Sequence, residues 1–337
     1  MTTPRFDQTA TLLLNGQVLI AGGSGATGIP LASAELYNPA TSTFAATGAM
    51  TTARYGQTAV LLHDGRVLVV GGAGSTAEVY DPGAGTFAPT GQMTTARTNA
   101  TATLLDARGN YDVLIAGGIG SIASPVQSAE LYDPQKGTFT ATGAMSVGRV
   151  GHSATLLNTG DVLIAGGGCG GCSAAGPSGD LATAEVYNPS TGKFSTVGSM
   201  GHARAYHTAT PLLDGRILIV GGVNGSSFVG PAETYNPKTG KFTRSGTLAN
   251  PRDEHTATAI AGGRVLVVGG LGAAGHHTAV LASIEVFNPK TNKFFAAVSM
   301  KSPRRSHTAT ALPDGHVLIA GGFSGSAALS SAELFNP

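Results

Sequence analysis

The stretch Val18-Leu19-Ile20-Ala21-Gly22-Gly23 decides the fold, because the chain repeats it along its whole length. Each copy is a short apolar run closed by two glycines, and successive copies lie 46 to 55 residues apart. The copies end at Gly23, Gly72, Gly118, Gly167, Gly222, Gly270 and Gly322. A period of about 50 residues indicates an array of one supersecondary unit, which buries its faces only against its neighbours.

One unit contains four strand signals in a fixed order. In the fifth unit, residues 204–213 predict a first strand, and Asp214-Gly215 is a favoured hairpin turn. Residues 217–220 form an unbroken apolar run, which is typical of a strand covered on both faces. Residues 232–235 and 241–243 predict the third and fourth strands. Four short antiparallel strands per unit, repeated seven times, predict an all-β seven-bladed propeller.

Two aromatic series and an Asn/Asp-Pro series recur with the double glycine, and together they resemble the kelch repeat. The aromatics are Tyr37, Tyr80, Tyr132, Tyr187, Tyr235, Phe287 and Phe335 on third strands, and Phe44, Phe87, Phe139, Phe194, Phe242 and Phe294 on fourth strands. The fourth-strand aromatic is usually Trp in kelch repeats and is Phe here. The resemblance implies a single seven-bladed kelch-type propeller over 1–337, with units at approximately 1–50, 51–93, 94–145, 146–200, 201–250, 251–300 and 301–337.

The seventh unit ends at Pro337, before its fourth-strand signal. We therefore expect a three-stranded last blade or a chain that is a segment of something longer, and we favour the segment.

Composition excludes several function classes. Charged residues make up 12% of the chain and the net charge is +1, which argues against a nucleic-acid binder. No apolar run approaches the roughly 20 residues of a membrane span, and residues 1–8 do not resemble a signal peptide. Abundant Gly, Ala, Ser and Thr with little Lys is similar to secreted or cell-surface bacterial repeat domains. We expect a monomer without a cofactor, located outside the cell or on its surface.

An arginine precedes every first strand, in a loop expected at the mouth of the central channel. The seven are Arg5, Arg54, Arg97, Arg149, Arg204, Arg252 and Arg304. Kelch domains that bind acidic peptides use arginines near this position, so the resemblance implies a carboxylate-binding ring. Each unit also has one third-strand glutamate. Arg–Glu ion pairs that hold the blades are the alternative, and we favour them because every blade repeats both residues.

A second ring contains His152, His207, His255 and His307, three residues after four of these arginines. We interpret them as buried, hydrogen-bonded histidines rather than metal ligands. Tyr206 and His207 resemble the Tyr-His pair that holds copper in galactose oxidase and related oxidases. Their cross-linked Tyr–Cys pair has no equivalent here, and Tyr55 lies one position early. Tyr206 and His207 are therefore weak metal candidates, and we expect no metal.

The two cysteines, Cys169 and Cys172, lie in the longest loop. A single C-x-x-C without a second pair predicts a small disulfide if the protein is exported, and free thiols otherwise. His276 and His277 in another loop are weak ligand candidates.

The favoured function is a non-catalytic scaffold that binds an anionic peptide or sugar at its loop face and channel mouth. The arginine ring, the four histidines, Tyr55 and Tyr206 would contact the ligand. One alternative is a carbohydrate-active enzyme, similar to galactose oxidase or to a sugar-acid mutarotase. The other is a purely structural or engineered repeat scaffold.

Overall fold

The computed structural model describes residues 1–105, 111–172, 179–274 and 277–337. Its first three large sheets contain β1 (Thr9–Leu12), β2 (Val18–Ala21), β3 (Ala34–Asn38) and β4 (Thr43–Ala46); β5 (Thr58–Leu61), β6 (Val67–Val70), β7 (Ala77–Asp81) and β8 (Thr86–Pro89); β9 (Thr101–Leu104), β10 (Val113–Ala116), β11 (Ala129–Asp133) and β12 (Thr138–Ala141). Each sheet is an antiparallel meander in chain order.

The fourth and fifth sheets follow the same plan. Their strands are β13 (Ser153–Leu156), β14 (Val162–Ala165), β15 (Ala184–Asn188) and β16 (Lys193–Thr196); β17 (Thr208–Pro211), β18 (Ile217–Val220), β21 (Pro231–Asn236) and β22 (Lys241–Thr247). A two-stranded ribbon of β19 (Val223–Asn224) and β20 (Ser227–Phe228) extends the loop between β18 and β21.

The sixth and seventh sheets complete the array. Their strands are β24 (Thr256–Ile260), β25 (Arg264–Val268), β28 (Ile284–Asn288) and β29 (Lys293–Ala297); β30 (Thr308–Ala311), β31 (Val317–Ala320) and β32 (Ala332–Phe335). A small sheet joins β23 (Arg252–Asp253), β26 (Leu271–Ala274) and β27 (His277–Val280), and one 3-10 turn spans Ala261–Gly263. No helix in the described ranges is long and apolar enough to cross a membrane.

The seven large sheets are arranged in a closed ring. Each first strand contacts the first strands of both neighbouring sheets, and β30 contacts β1. We call these sheets blades. The prediction of an all-β propeller is therefore confirmed, and the described residues form seven blades, the last of them with three strands.

The hydrophobic core lies between blades, which explains the unbroken apolar second strands. Alternate residues of a strand point to opposite faces, so Leu19 packs against the second blade while Ile20 packs against the seventh. All four residues of β2 are buried, and so are the four apolar residues at the same positions of every other second strand. Each blade is thus stable only between two neighbours.

Candidate functional site

The seven arginines lie inside the blades, each paired with the glutamate of its own blade. The guanidinium Nη2 and carboxylate Oε1 atoms are 2.8–3.1 Å apart, and every arginine side chain is 0% exposed. The pairs are Arg5–Glu35, Arg54–Glu78, Arg97–Glu130, Arg149–Glu185, Arg204–Glu233, Arg252–Glu285 and Arg304–Glu333. These contacts match the ion-pair alternative.

Further hydrogen bonds occupy both members of each pair. Arg204 Nη1 donates to the carbonyl of Gly221, the first glycine of the pair that ends β18. Glu233 accepts the backbone N–H groups of Gly201 and His202, in the linker from the preceding blade. The pair therefore joins linker, double glycine and third strand. A carboxylate ligand would have to displace a buried glutamate, so this ring does not support acidic-ligand binding.

The four histidines connect each blade to the one before it. His152, His207, His255 and His307 are 6–7% exposed, and their Nε2 atoms lie 2.9–3.1 Å from hydroxyls of the preceding first strand. Gln8 and Gln57 occupy the same position in the first two blades and donate to carbonyls instead. Burial, followed by the charge of the adjacent arginine, lowers the pKa of His152, His207 and His307 to about 3.

The copper-oxidase comparison depends on Tyr206 and His207, which lie in different environments. His207 is buried and bonded to Ser153, whereas Tyr206 is 42% exposed. Tyr55 is 45% exposed on the same face of the ring. Among the described residues, no group of three or more His, Cys, Asp or Glu side chains is arranged to hold a metal ion.

The residue two places after each arginine lies at the channel mouth in a left-handed conformation, with φ between 47° and 65°. These residues are Asp7, Gly56, Asn99, Gly151, Tyr206, Glu254 and Ser306. Backbone N–H groups donate between neighbouring blades from Asp7 to Ser306, Asn99 to Gly56, Tyr206 to Gly151 and Ser306 to Glu254. The backbone is uniform here but the side chains differ, so this ring can carry a function specific to this chain.

Five of the residues near this ring form what we call the mouth cluster: Asp7, Asp253, Glu254, Arg305 and Ser306. Glu254 Oε2 lies 2.5 Å from Arg305 Nη1 and accepts a hydrogen bond from Ser306 Oγ at 2.8 Å. Asp253 is 7% exposed, and its Oδ1 atom is buried without a hydrogen-bond partner. Its neighbour Glu254 is only partly buried.

Negative charge exceeds positive charge in the mouth cluster. Burial and then the charge of Glu254 raise the pKa of Asp253 to about 6. The pKa of Asp7 is also raised, by burial first and by Glu254 as a further cause. Burial, Glu254 and Asp180 raise the pKa of Tyr206, the exposed aromatic beside the cluster. The cluster thus contains three carboxyl groups and one guanidinium, and an added cation would stabilise their ionised forms.

Aromatic rings flank the cluster. Arg305 lies over the ring of Phe323 at 5.4 Å, and Phe323 contacts Phe6 at a centroid distance of 5.4 Å. Arg305 and Phe323 also pair through an isolated β-bridge. Bridges of this kind pair first-strand loops with the loops that follow the double glycines, so both sets of loops lie on one face of the ring.

The remaining candidates lie in the surrounding loops. Cys169 and Cys172 are joined by a disulfide. His277 begins β27 and is exposed, whereas His276 lies outside the described residues.

Sequence reasoning identified Tyr206 but missed the mouth cluster. Asp253, Glu254 and Arg305 stand one or two places after a repeated arginine, at positions where the residue varies from unit to unit. The sequence signal that could have identified them is this variation next to an arginine that every unit repeats.

Comparisons with known proteins agree with this fold. The family model described as the KLHDC2/KLHL20/DRC7 Kelch-repeats domain matches residues 99–322. A copper-containing fungal alcohol oxidase of the AA5 family has a similar structure, with a TM-score of 0.80 and 19% sequence identity. The match covers 99% of this chain and 75% of the oxidase. No curated protein sequence matches the chain.

Proposed function

Because the chain belongs to the KLHDC2/KLHL20/DRC7 Kelch-repeats domain family, we propose that it is a non-catalytic scaffold that binds a partner at its loop face and channel mouth. The partner presents a cationic group, such as a lysine or arginine side chain of a peptide. The mouth cluster receives this group, and exposed Tyr206 packs beside it.

The buried Oδ1 atom of Asp253 carries this proposal. A buried carboxylate oxygen without a hydrogen-bond donor is costly, and a cationic group of a ligand bound beside it would stabilise its charge through space. Glu254 and Asp7 add negative charge at the same place. Tyr206 offers the ring face that cations prefer.

The cationic ligand proposed here has the opposite charge to the anionic peptide or sugar that an exposed arginine ring would bind. All seven ring arginines already bind glutamates. The mouth cluster, with three carboxyl groups and one guanidinium, instead has an excess of negative charge. Likeness to the fungal oxidase concerns the fold alone, since the identity is 19%.

A thermal-shift comparison of three probes tests the proposal. We expect hexalysine to raise the melting temperature at low salt, and hexaglutamate and glucuronate to leave it unchanged. Stabilisation by hexaglutamate or glucuronate alone would instead support an anionic ligand. The absence of a shift with hexalysine would contradict the proposal.

A further inference from the structure

We propose that Asn224 is a site of spontaneous deamidation, with Asp180 of the preceding blade as the general base. The side-chain amide of Asn224 becomes the carboxylate of an aspartate or isoaspartate, with water as the co-reactant and ammonia as the second product. The inference is independent of the cation-binding proposal, because it concerns the chemistry of the ribbon formed by β19 and β20.

The turn of this ribbon places Asn224 before a glycine. Asn224 is the last residue of β19, and Gly225 begins the turn that joins β19 to β20. Both residues are exposed to solvent. Gly225 has a φ of 62°, which suits glycine in a tight hairpin turn. Because glycine has no side chain, nothing on residue 225 hinders the approach of its backbone nitrogen to the amide carbon of Asn224.

A carboxylate contacts the backbone nitrogen that has to react. The Gly225 N–H donates a hydrogen bond of 2.7 Å to Asp180 Oδ2. A β-bridge to Gly168 holds Asp180 in the loop before β15, so it reaches the ribbon from the fourth blade. A backbone N–H is a poor acid, and a base within hydrogen-bond reach accelerates the loss of its proton. Burial raises the pKa of Asp180, against the effect of the Gly225 hydrogen bond, and so makes its carboxylate a stronger base.

The reaction balances with groups of the chain and water alone. Asp180 accepts the proton of the Gly225 N–H while this nitrogen forms a bond to Cγ of Asn224. The Cγ–Nδ2 bond then breaks, and the proton leaves with the amine as ammonia. Water opens the resulting succinimide. Opening at Cγ gives aspartate, and opening at the backbone carbonyl carbon gives isoaspartate.

Asn15-Gly16 is the only other Asn-Gly pair in the sequence and provides an internal comparison. Asn15 is also exposed, and Gly16 has a φ of 82° in the hairpin between β1 and β2. The Gly16 N–H donates to the carbonyl of Leu13, which is not a base at neutral pH. Hydrogen bonds with Gln17 hold the Asn15 side chain. The same dipeptide therefore has a carboxylate at its reacting nitrogen in the ribbon and a carbonyl in the hairpin.

Conversion of Asn224 would add a negative charge to the mouth face. Val223, which precedes Asn224, forms a β-bridge with Ala205, the neighbour of Tyr206. Asp180 is among the groups that raise the pKa of Tyr206, after burial and Glu254. The modification thus changes the charge of the face whose side chains differ from blade to blade.

The test incubates the full chain at neutral pH and follows both Asn-Gly pairs by peptide mapping with mass spectrometry. We expect Asn224 to convert to aspartate and isoaspartate at least about tenfold faster than Asn15. Asp180→Asn keeps an oxygen that accepts the Gly225 hydrogen bond but removes the base. This variant should slow conversion at Asn224 by about tenfold or more and leave the rate at Asn15 unchanged.

Asp133→Asn is the matched control, because it removes an equal charge from a turn of the third blade that contacts neither Asn-Gly pair. It should alter neither rate. The comparison of Asn224 with Asn15 in the wild type needs no variant and is unaffected by any loss of folding. Conversion at Asn224 that is no faster than at Asn15 overturns the proposal. An unchanged or higher rate at Asn224 in Asp180→Asn overturns it as well.

Discussion

At the scale of single residues, the first glycine of each pair is required because residues of the next blade lie directly against it. Gly166 has a φ of +62°, and a Cβ there would lie 2.5 Å from the carbonyl oxygen of Arg204 and 2.8 Å from His207 Cε1. The glycine allows the next blade's arginine and histidine to approach the backbone. The same close approach recurs around the ring, with Gln57 and Gln8 in place of the histidine beside Gly22 and Gly321.

Replacement of Gly166 by Ala is expected to lower the free energy of unfolding by more than about 3 kcal/mol, measured by urea denaturation. Gly240→Ala is the matched control. Gly240 has a φ of +66°, but no atom lies within 4 Å of the position that an alanine Cβ would take. Its cost is therefore limited to the left-handed backbone, about 1–2 kcal/mol. Equal losses of unfolding free energy in Gly166→Ala and Gly240→Ala would show that close packing does not require a glycine at position 166.

Removal of one charge from a buried pair is expected to cost about 3–5 kcal/mol, because it leaves the partner uncompensated. We predict this loss for Glu233→Gln, which leaves Arg204 buried. Asp214→Asn breaks the exposed Asp214–Arg216 pair and should cost less than about 1 kcal/mol. Chemical denaturation of both variants measures the difference, and a small loss for Glu233→Gln would contradict a structural role for the ring.

At the scale of elements, blades contact each other through hydroxyls at the rim as well as through the core. Thr47, which directly follows β4, bonds to the hydroxyl of Tyr80 in the next blade at 2.8 Å. The Gly48 N–H donates to the Gly85 carbonyl beside it. Fourth strands therefore connect neighbouring blades as well as completing their own sheets.

Tyr80→Phe is expected to lower the free energy of unfolding by about 1 kcal/mol, because it leaves Thr47 without this partner. Tyr37→Phe removes a hydroxyl that has no partner, so it should leave stability unchanged or raise it. Thermal and urea denaturation of the two variants give the comparison. A loss of similar size in Tyr37→Phe would mean that its hydroxyl is bonded in solution.

The strand pattern was predictable from sequence because period, turn residues and apolar runs agree in every unit. The Arg–Glu alternative was also predictable, since the two residues recur one to one. The ribbon formed by β19 and β20 was not, because the loops between second and third strands differ in length and sequence from unit to unit. The roles of Asp253 and Glu254 in the mouth cluster were not predictable either, because they depend on burial and on Arg305, which lies about 50 residues away in sequence.

At the scale of the whole molecule, the closed ring contains four buried histidines, which make the stability of the folded protein depend on pH. Burial keeps the pKa of His152, His207 and His307 at about 3, below the usual value of about 6.5 in an unfolded chain. The unfolded chain therefore binds more protons between these pH values, and stability falls as the pH drops below about 6.5.

His207→Gln tests this linkage, because Gln8 and Gln57 already occupy the same position in other blades. We expect the pH dependence of stability to be weaker in the variant. Relative to the wild type, it should gain about 2 kcal/mol between pH 7 and pH 5, the contribution of one buried neutral histidine. Parallel stability curves for the two proteins over this range would show that His207 is not kept neutral by folding.

Ring closure also brings Asp7 of the first blade to Glu254 and Arg305, which come from the sixth and seventh blades. The mouth cluster exists only in the closed propeller. Its charge therefore belongs to the assembled ring and not to any single repeat.

The dissociation constant of hexalysine, measured by calorimetry at low salt and pH 7.5, tests the cation-binding claim most directly. We predict that Glu254→Gln weakens binding by about tenfold. Asp314→Asn, which removes an equal charge from a hairpin on the opposite face, should leave it within about twofold. Binding should also weaken as the pH falls through about 6, where Asp253 becomes protonated. Equal effects of the two substitutions, or none, would contradict a cation site at the channel mouth.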